Sequence, residues 1–321
     1  MDLLDHVLRR MGRHATTLLP FALLVGIVFQ DLAAAARPLV GPLAILLLGV
    51  TLLRIDWPRV RALLARPALA IALSVANLVL VPLVVWPVWQ GLGLWPGLVA
   101  ALCLSAMAPG IISAATTASF LRLDSSLALL ISLITNFLVP FTLPPLALWL
   151  LGLDLNISAF DLSLRLAGIV VLAALGAMAV GLWLKPEGLR RNAVKIDGCA
   201  VVVLIVFAIP LMDGIVARAQ SEPLKLAGFV AGAFAGMILY NLVMAAGTLP
   251  FLERRIALTA GYCSGGRHNA LLMAVLPVTA DPDIFLFIAA VQVPIYLLPA
   301  LLQPVYRRLL RADSSAPTTS P

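Results

Sequence analysis

Apolar residues fill this chain in runs of roughly 20, the length a helix needs to cross a bilayer. The runs lie at about 16–34, 38–54, 68–91, 96–121, 125–151, 160–184, 197–217, 225–250, 256–279 and 284–306. They predict ten membrane spans joined by short loops. Short alternating segments, the mark of a membrane barrel, are missing. The predicted class is an all-α polytopic membrane protein, with one membrane domain over 1–311 and a disordered polar tail over 312–321.

Two of the ten runs are interrupted. The ninth reads Leu258-Thr-Ala-Gly-Tyr-Cys-Ser-Gly-Gly-Arg-His-Asn-Ala-Leu-Leu-Met-Ala-Val275, with Gly261, Gly265 and Gly266 around a polar group of Ser264, Arg267, His268 and Asn269. The fourth reads Ser105-Ala-Met-Ala-Pro-Gly-Ile-Ile-Ser-Ala-Ala-Thr-Thr117, where Pro109-Gly110 is the breaker and Ser113, Thr116 and Thr117 are polar. An uninterrupted helix facing lipid does not carry such residues. A helix broken inside protein does, because its freed backbone groups and its cation then face protein or a cavity. The fourth and ninth spans are therefore predicted to be discontinuous.

Composition sharpens this picture. The chain is 321 residues long and 62% hydrophobic, with 12% charged residues, which no soluble globular domain shows. The net charge of +7 does not indicate a nucleic-acid partner, because the basic residues sit in loops. Seventeen of the 22 Lys and Arg residues fall in one set of alternate loops, four (Arg37, Arg165, Arg218 and Lys225) in the other, and Arg267 lies within a span. The positive-inside rule then places both termini in the cytoplasm. Only Lys185, Lys195 and Lys225 are lysines. That arginine bias points to a GC-rich bacterial genome, hence to a bacterial inner membrane. Arg9, Arg10 and Arg13 ahead of an apolar run ending in Ala33–Ala36 imitate a signal peptide, but the first run is read as an uncleaved span because the repeat needs it. Cys103, Cys199 and Cys263 lie in or beside apolar runs, so no disulfide framework is expected.

The chain repeats itself. Val139-Pro-Phe-Thr-Leu-Pro-Pro145 and Val293-Pro-Ile-Tyr-Leu-Leu-Pro299 share the pattern V-P-x-x-L-x-P at 154 positions' distance, and Pro109 and Gly265 are 156 apart. Asn77-Leu-Val-Leu80 and Asn241-Leu-Val-Met244 fall in the third and eighth runs. Five spans per half is an odd number, so the halves insert in opposite directions. Such inverted repeats, with interrupted helices at matching places, characterise secondary transporters.

A break at mid-membrane leaves N–H groups free at the start of the second half-helix, where the helix dipole is positive. Arg267 adds a cation there, and Ser113 and Thr116 add hydroxyls at the other break. This chemistry suits a small organic anion such as a carboxylate or sulfonate. The candidate substrate-binding residues are Arg267, His268, Asn269, Ser113, Thr116 and Asn77. Candidates for a coupling ion are Ser264, His268, Ser132 and Asn77. The ordinary pKa of histidine makes His268 a candidate proton carrier. Ser132, Thr135 and Asn136 form a polar face of the fifth span that would meet the break, with interhelical packing as the alternative. For each residue a structural alternative stands beside the functional one: Arg267 capping carbonyls, His268 and the asparagines bracing backbone, the hydroxyls bonding their own helix.

The fourth and fifth spans, the interrupted ninth span with Asn269, and the ten-span inverted repeat resemble the bile acid:sodium symporter family, within the wider bile acid, arsenite and riboflavin transporter group. The resemblance covers essentially the whole membrane domain and is firmest over Pro109 to Pro145 and Leu258 to Pro299. It implies that the two broken helices cross in a core of spans 68–151 and 225–306. A panel of spans 16–54 and 160–217 would move against that core. The chain departs from the family's sodium ligands. Ala114-Ala115 replaces Ser-Asn. Ser264 and His268 replace the Glu and Gln of E-x-G-x-Q-N, and only Asn269 is kept. Ala128 stands for a serine, Ser132 for a threonine and Asn77 for a glutamine. Arg267 is then expected to be a tethered substitute for the coupling cation, with transport driven by protons or uncoupled.

The alternatives are an arsenite-type efflux permease using Cys263 or Cys103, and a channel. No paired intramembrane aspartates, Gly-x-Ser-Gly with a histidine partner, H-E-x-x-H or Asp-rich prenyl-diphosphate motif occurs. No enzyme activity, cofactor or metal is expected, beyond sodium or a proton as a coupling ion.

Overall fold

A computed structural model describes residues 15–53, 55, 67–111, 113–152, 158–277 and 279–314. These residues are mostly helical, with no strand among them and a single isolated β-bridge. The predicted tail over 312–321 lies mostly outside the described residues. Among the described residues seven helices are long and apolar enough to cross a membrane: Gln30–Leu53, Ala68–Gly91, Ser125–Leu151, Ala159–Lys185, Ala193–Ser221, Pro223–Thr248 and Pro282–Leu310. Their exposed faces carry Phe141, Trp149, Leu182 and Trp183, as suits helices that face lipid. The chain is a multi-pass membrane protein of all-α class.

The start differs from the predicted pattern. The first run does not continue to 34. Helix α1 (Ala15–Val28) ends at Phe29, and α2 (Gln30–Ala36) passes through a 3₁₀ turn, Arg37–Leu39, into α3 (Val40–Leu53). Where a loop was expected near 35–37, the helix runs on for 24 residues. The cause is Gln30. Its Nε2 donates to Gly26 O at 2.7 Å and Ile27 O at 3.2 Å, capping the end of α1 and placing the break at Phe29.

The chain forms two compact units. The first comprises the described residues of Met1–Trp57, Leu155–Leu226 and Ala270–Ala289. In it α3 packs on α9 (Ala159–Arg191) and α10 (Ala193–Ala208), and α10 packs on α1. The second comprises Pro58–Asp154, Ala227–Asn269 and Ala290–Pro321. It holds α4 (Pro67–Val75), a π-helical turn over Ala76–Leu80, α5 (Val81–Gly91), α6 (Pro96–Met107), α7 (Ala114–Phe120), α8 (Ser125–Leu151), most of α12 (Pro223–Thr248), α13 (Arg254–Gly265) and α16 (Gln292–Ser314). Between α10 and α12 lies α11 (Ile215–Ser221), and between α13 and α16 lie α14 (Asn269–Val275) and α15 (Pro282–Ala290). Residues 270–289 group with the first unit, where Arg165 Nη1 donates to Val275 O at 3.3 Å and Lys225 Nζ lies 2.8 Å from Asp283 Oδ1.

Helix α8 is the axis of the second unit and touches α4, α6, α7 and α13. Asp124 caps its start, accepting from the N–H groups of Ser126 and Leu127 at 3.0 Å. Helix α12 approaches α6 through Gly228, Gly232 and Gly236. A methyl group at these positions would meet Trp95, Leu98 and Leu102 in turn. The four-residue spacing brings one bare stripe of α12 against one row of α6.

Candidate functional site

The fourth span breaks where Pro109 and Gly110 predict. Helix α6 stops at Met107, Ala108 is extended (φ −65, ψ 151), and α7 begins at Ala114. Proline removes one N–H and disfavours helix in the residue before it. The freed groups are met by α8. Gly110 N donates to Thr135 Oγ1 at 3.1 Å, and Asn136 Nδ2 donates to Gly110 O at 2.9 Å. Ser132 Oγ donates to Ile111 O at 3.0 Å. The polar face of the fifth span thus braces the break.

The ninth span breaks between α13 and α14, at Gly266, Arg267 and His268. Glycine is needed on its approach. A methyl on Gly261 would lie 2.7 Å from Asn241 O, and one on Gly265 would lie 2.8 Å from Met237 O. The two broken segments pair with each other as an antiparallel bridge between Gly110 and Arg267. Ile111 N donates to Gly266 O at 3.0 Å, and His268 N donates to Pro109 O at 2.8 Å.

Arg267 lies at this crossing and is completely buried. Its Nη1 donates to Ala108 O at 2.8 Å, the carbonyl freed at the end of α6. Its Nη2 donates to Asn77 O at 3.0 Å and to Ser264 Oγ at 3.1 Å. Asn77 lies in the π-helical turn, whose wider ring leaves a backbone carbonyl available for such a contact. The Tyr240 ring lies 5.9 Å from the guanidinium carbon, and its hydroxyl donates to Leu102 O at 2.7 Å. Among the described residues no carboxylate is paired with Arg267. The charge is held by dipoles and a ring face alone.

Of the sequence-predicted residues, Arg267, Ser264, Asn77, Asn269, His268 and Ser132 sit on or beside the paired breaks. Asn77 takes part through its backbone oxygen. Ser132, Ser264 and Asn269 are buried and His268 is half-buried. Ser113 and Thr116 are not brought to Arg267. Both are exposed, and Ser113 O accepts from Thr116 N and Thr117 N at 3.1 Å. Two partners of Arg267 escaped the sequence reading: the Ala108 carbonyl, invisible in side-chain patterns, and Tyr240. A tyrosine beside Asn241 in the middle of an apolar run was the available signal.

Several buried polar atoms near the crossing have no hydrogen-bond partner among the described residues: both side-chain termini of Asn77, the Oδ1 atoms of Asn136 and Asn269, and Arg267 Nε. Buried amides of this kind hold water or a small polar solute. The void beside Gly265 and Gly266, lined by Ile111, Met237, Asn241 and Tyr262, has about 10 Å³, room for one water and no organic solute. Among the described residues no three His, Cys, Asp or Glu side chains gather as a metal site. Cys103 and Cys263 are both buried. Compared with known proteins, the chain matches no family model and no curated protein.

Proposed function

We propose that the protein is a secondary transporter of a small organic anion, similar to the bile acid:sodium symporters, in which Arg267 replaces the coupling cation. On this reading ten spans form two inverted five-helix repeats, both termini are cytoplasmic, and the substrate site opens by alternating access. The observation that carries the reading is the paired breaks with the Arg267 guanidinium held by Ala108 O, Asn77 O and Ser264 Oγ.

Transporters with broken helices hold coupling cations on unwound carbonyls and hydroxyls. Here oxygens of that kind surround a guanidinium. A charge at mid-bilayer costs about 2.5–3.5 kcal/mol even on insertion scales, so a cation without a carboxylate partner needs a use. Its field persists because dipoles stabilise the charge without cancelling it. An organic anion is then attracted whether or not sodium is present, and sodium is repelled. His268 stands at the same break, its backbone N–H donated to Pro109 O, and its imidazole is the candidate proton carrier if transport is coupled.

The test is counterflow of labelled organic carboxylates in proteoliposomes, in sodium or choline chloride and across pH 5.5 to 8. Saturable counterflow, equal in both salts and abolished by Arg267→Ala, is the expected result. A pH dependence removed by His268→Gln would assign the proton. Sodium-specific flux, or a sodium-specific rise in thermal stability, would overturn the tethered cation. Unitary currents in place of counterflow would make the protein a channel.

A further inference from the structure

The first unit carries a second cationic site that neither the repeat nor the breaks foretold. Arg37, in the 3₁₀ turn before α3, and Arg218, in α11, line one cleft with Asp213, Ile215, Phe285 and Leu286. The cleft has about 320 Å³ of free space, at the lower end for small-molecule sites. Its rim is held in place. Gln30 Nε2 donates to Met212 O at 3.2 Å, and Gly214 N donates to Gln30 Oε1 at 3.1 Å. Gly214 has φ +75, a left-handed turn that glycine adopts without strain.

Both guanidiniums are anchored through one nitrogen. Arg37 Nη1 donates to Asp213 Oδ2 at 3.1 Å, and the Arg37 guanidinium carbon lies 4.8 Å from the centre of the Phe285 ring. Arg218 Nη1 donates to Glu222 Oε2 at 2.9 Å. A guanidinium has five N–H donors, so each keeps donors beyond its anchor. Both arginine side chains are 32% exposed. The nearby Asp283 is held by Lys225 Nζ at 2.8 Å, lies 3.9 Å from the already anchored Arg218 Nη1, and does not line the cleft. The lining therefore holds two cations, one anion and an apolar wall.

We propose that this cleft binds a small organic monocarboxylate. The carboxylate is taken by the open edges of Arg37 and Arg218, for which a planar fork of donors is suited. The apolar body lies on Phe285, Leu286 and Ile215. Asp213 competes for Arg37 and keeps the affinity modest, as a site of first capture requires. The proposal names a binding site for the ligand class in the transport reading but stands on the geometry of this cleft. Binding here without any flux would sink only that reading, and flux without binding here would sink only this one.

The test uses the purified full chain, with benzoate as the probe and benzamide as its uncharged counterpart, at constant ionic strength. Calorimetry is expected to show saturable benzoate binding and none for benzamide. Arg37→Gln and Arg218→Gln each weaken it by about tenfold or more. Asp213→Asn frees Arg37 and tightens binding several-fold, a gain that mere misfolding cannot imitate. The proposal is overturned if benzoate binds no better than benzamide. It also fails if Asp213→Asn weakens binding, if Arg267→Ala abolishes binding that Arg37→Gln leaves intact, or if only short-chain phosphatidylglycerol binds.

Discussion

Arg267 and the Arg37–Arg218 pair are the same side chain handled in two ways. Arg37 and Arg218 are a third exposed and rest on Asp213 and Glu222. Water shares the charge, the partners neutralise it, and each contact is exchangeable. Arg267 is wholly buried, and its partners are two carbonyls, a hydroxyl and a ring face. A carboxylate at that depth would cancel the charge. Dipoles stabilise it and leave its field in place. The comparison separates two settings for arginine: an exchangeable contact in an open cleft, and a charge held by dipoles inside packed helices.

Removing the fixed charge should have the largest effect. Arg267→Met leaves two buried carbonyls without donors, at about 1–3 kcal/mol each. Thermal unfolding in detergent should show a marked loss, and Arg267→Lys should restore only part of it because one ammonium lacks the fork's geometry. Unchanged melting of the Met variant would mean that the carbonyls find other donors. Asn136→Leu comes next. It strips the donor from Gly110 O, costs about 1–3 kcal/mol and should raise hydrogen exchange over 108–113 before other segments. Gly265→Ala should cost a similar ~1–3 kcal/mol through overpacking, since its methyl would meet Met237 O at 2.8 Å. A wild-type melting curve for that variant would show that α12 can shift.

At the exposed pair the effects on stability are small. Arg37→Gln should change it by less than about 1 kcal/mol while altering ligand binding. The Glu222 carboxyl is held below its usual value, first by the hydrogen bond from Arg218 and then by Lys225. Because the folded-state value is the lower one, its contribution is complete above the ordinary value of 4.5 and fades as pH falls through the depressed one. The effect of Glu222→Gln on melting curves should therefore shrink as pH falls below 4.5. Near neutrality the substitution should show its largest, still slight, effect.

The two breaks were legible because Pro109-Gly110 and Gly265-Gly266 cannot continue a helix smoothly, and because charge in an apolar run stands out. The bracing by Ser132, Thr135 and Asn136 was legible as a polar face that would meet the break, though not which backbone group each would bond. The end of α1 was missed, since Gln30 terminates it by folding back on carbonyls that any helix presents. Ser113 and Thr116 were drawn toward Arg267 by the assumption that a half-helix start faces the other break. The short α7 leaves them exposed instead.

Sequence alone determined the membrane class, the helical content and the places where helices break, because these follow from local hydrophobicity, proline and glycine. Tertiary structure decided what Arg267 touches. Its acceptors are main-chain oxygens of Ala108 and Asn77, 159 and 190 positions away, and every residue carries such an oxygen. Only packing selects which carbonyl is freed and turned toward the guanidinium. The same holds for the cleft, whose two arginines are 181 positions apart and become one site only when the helices that carry them assemble.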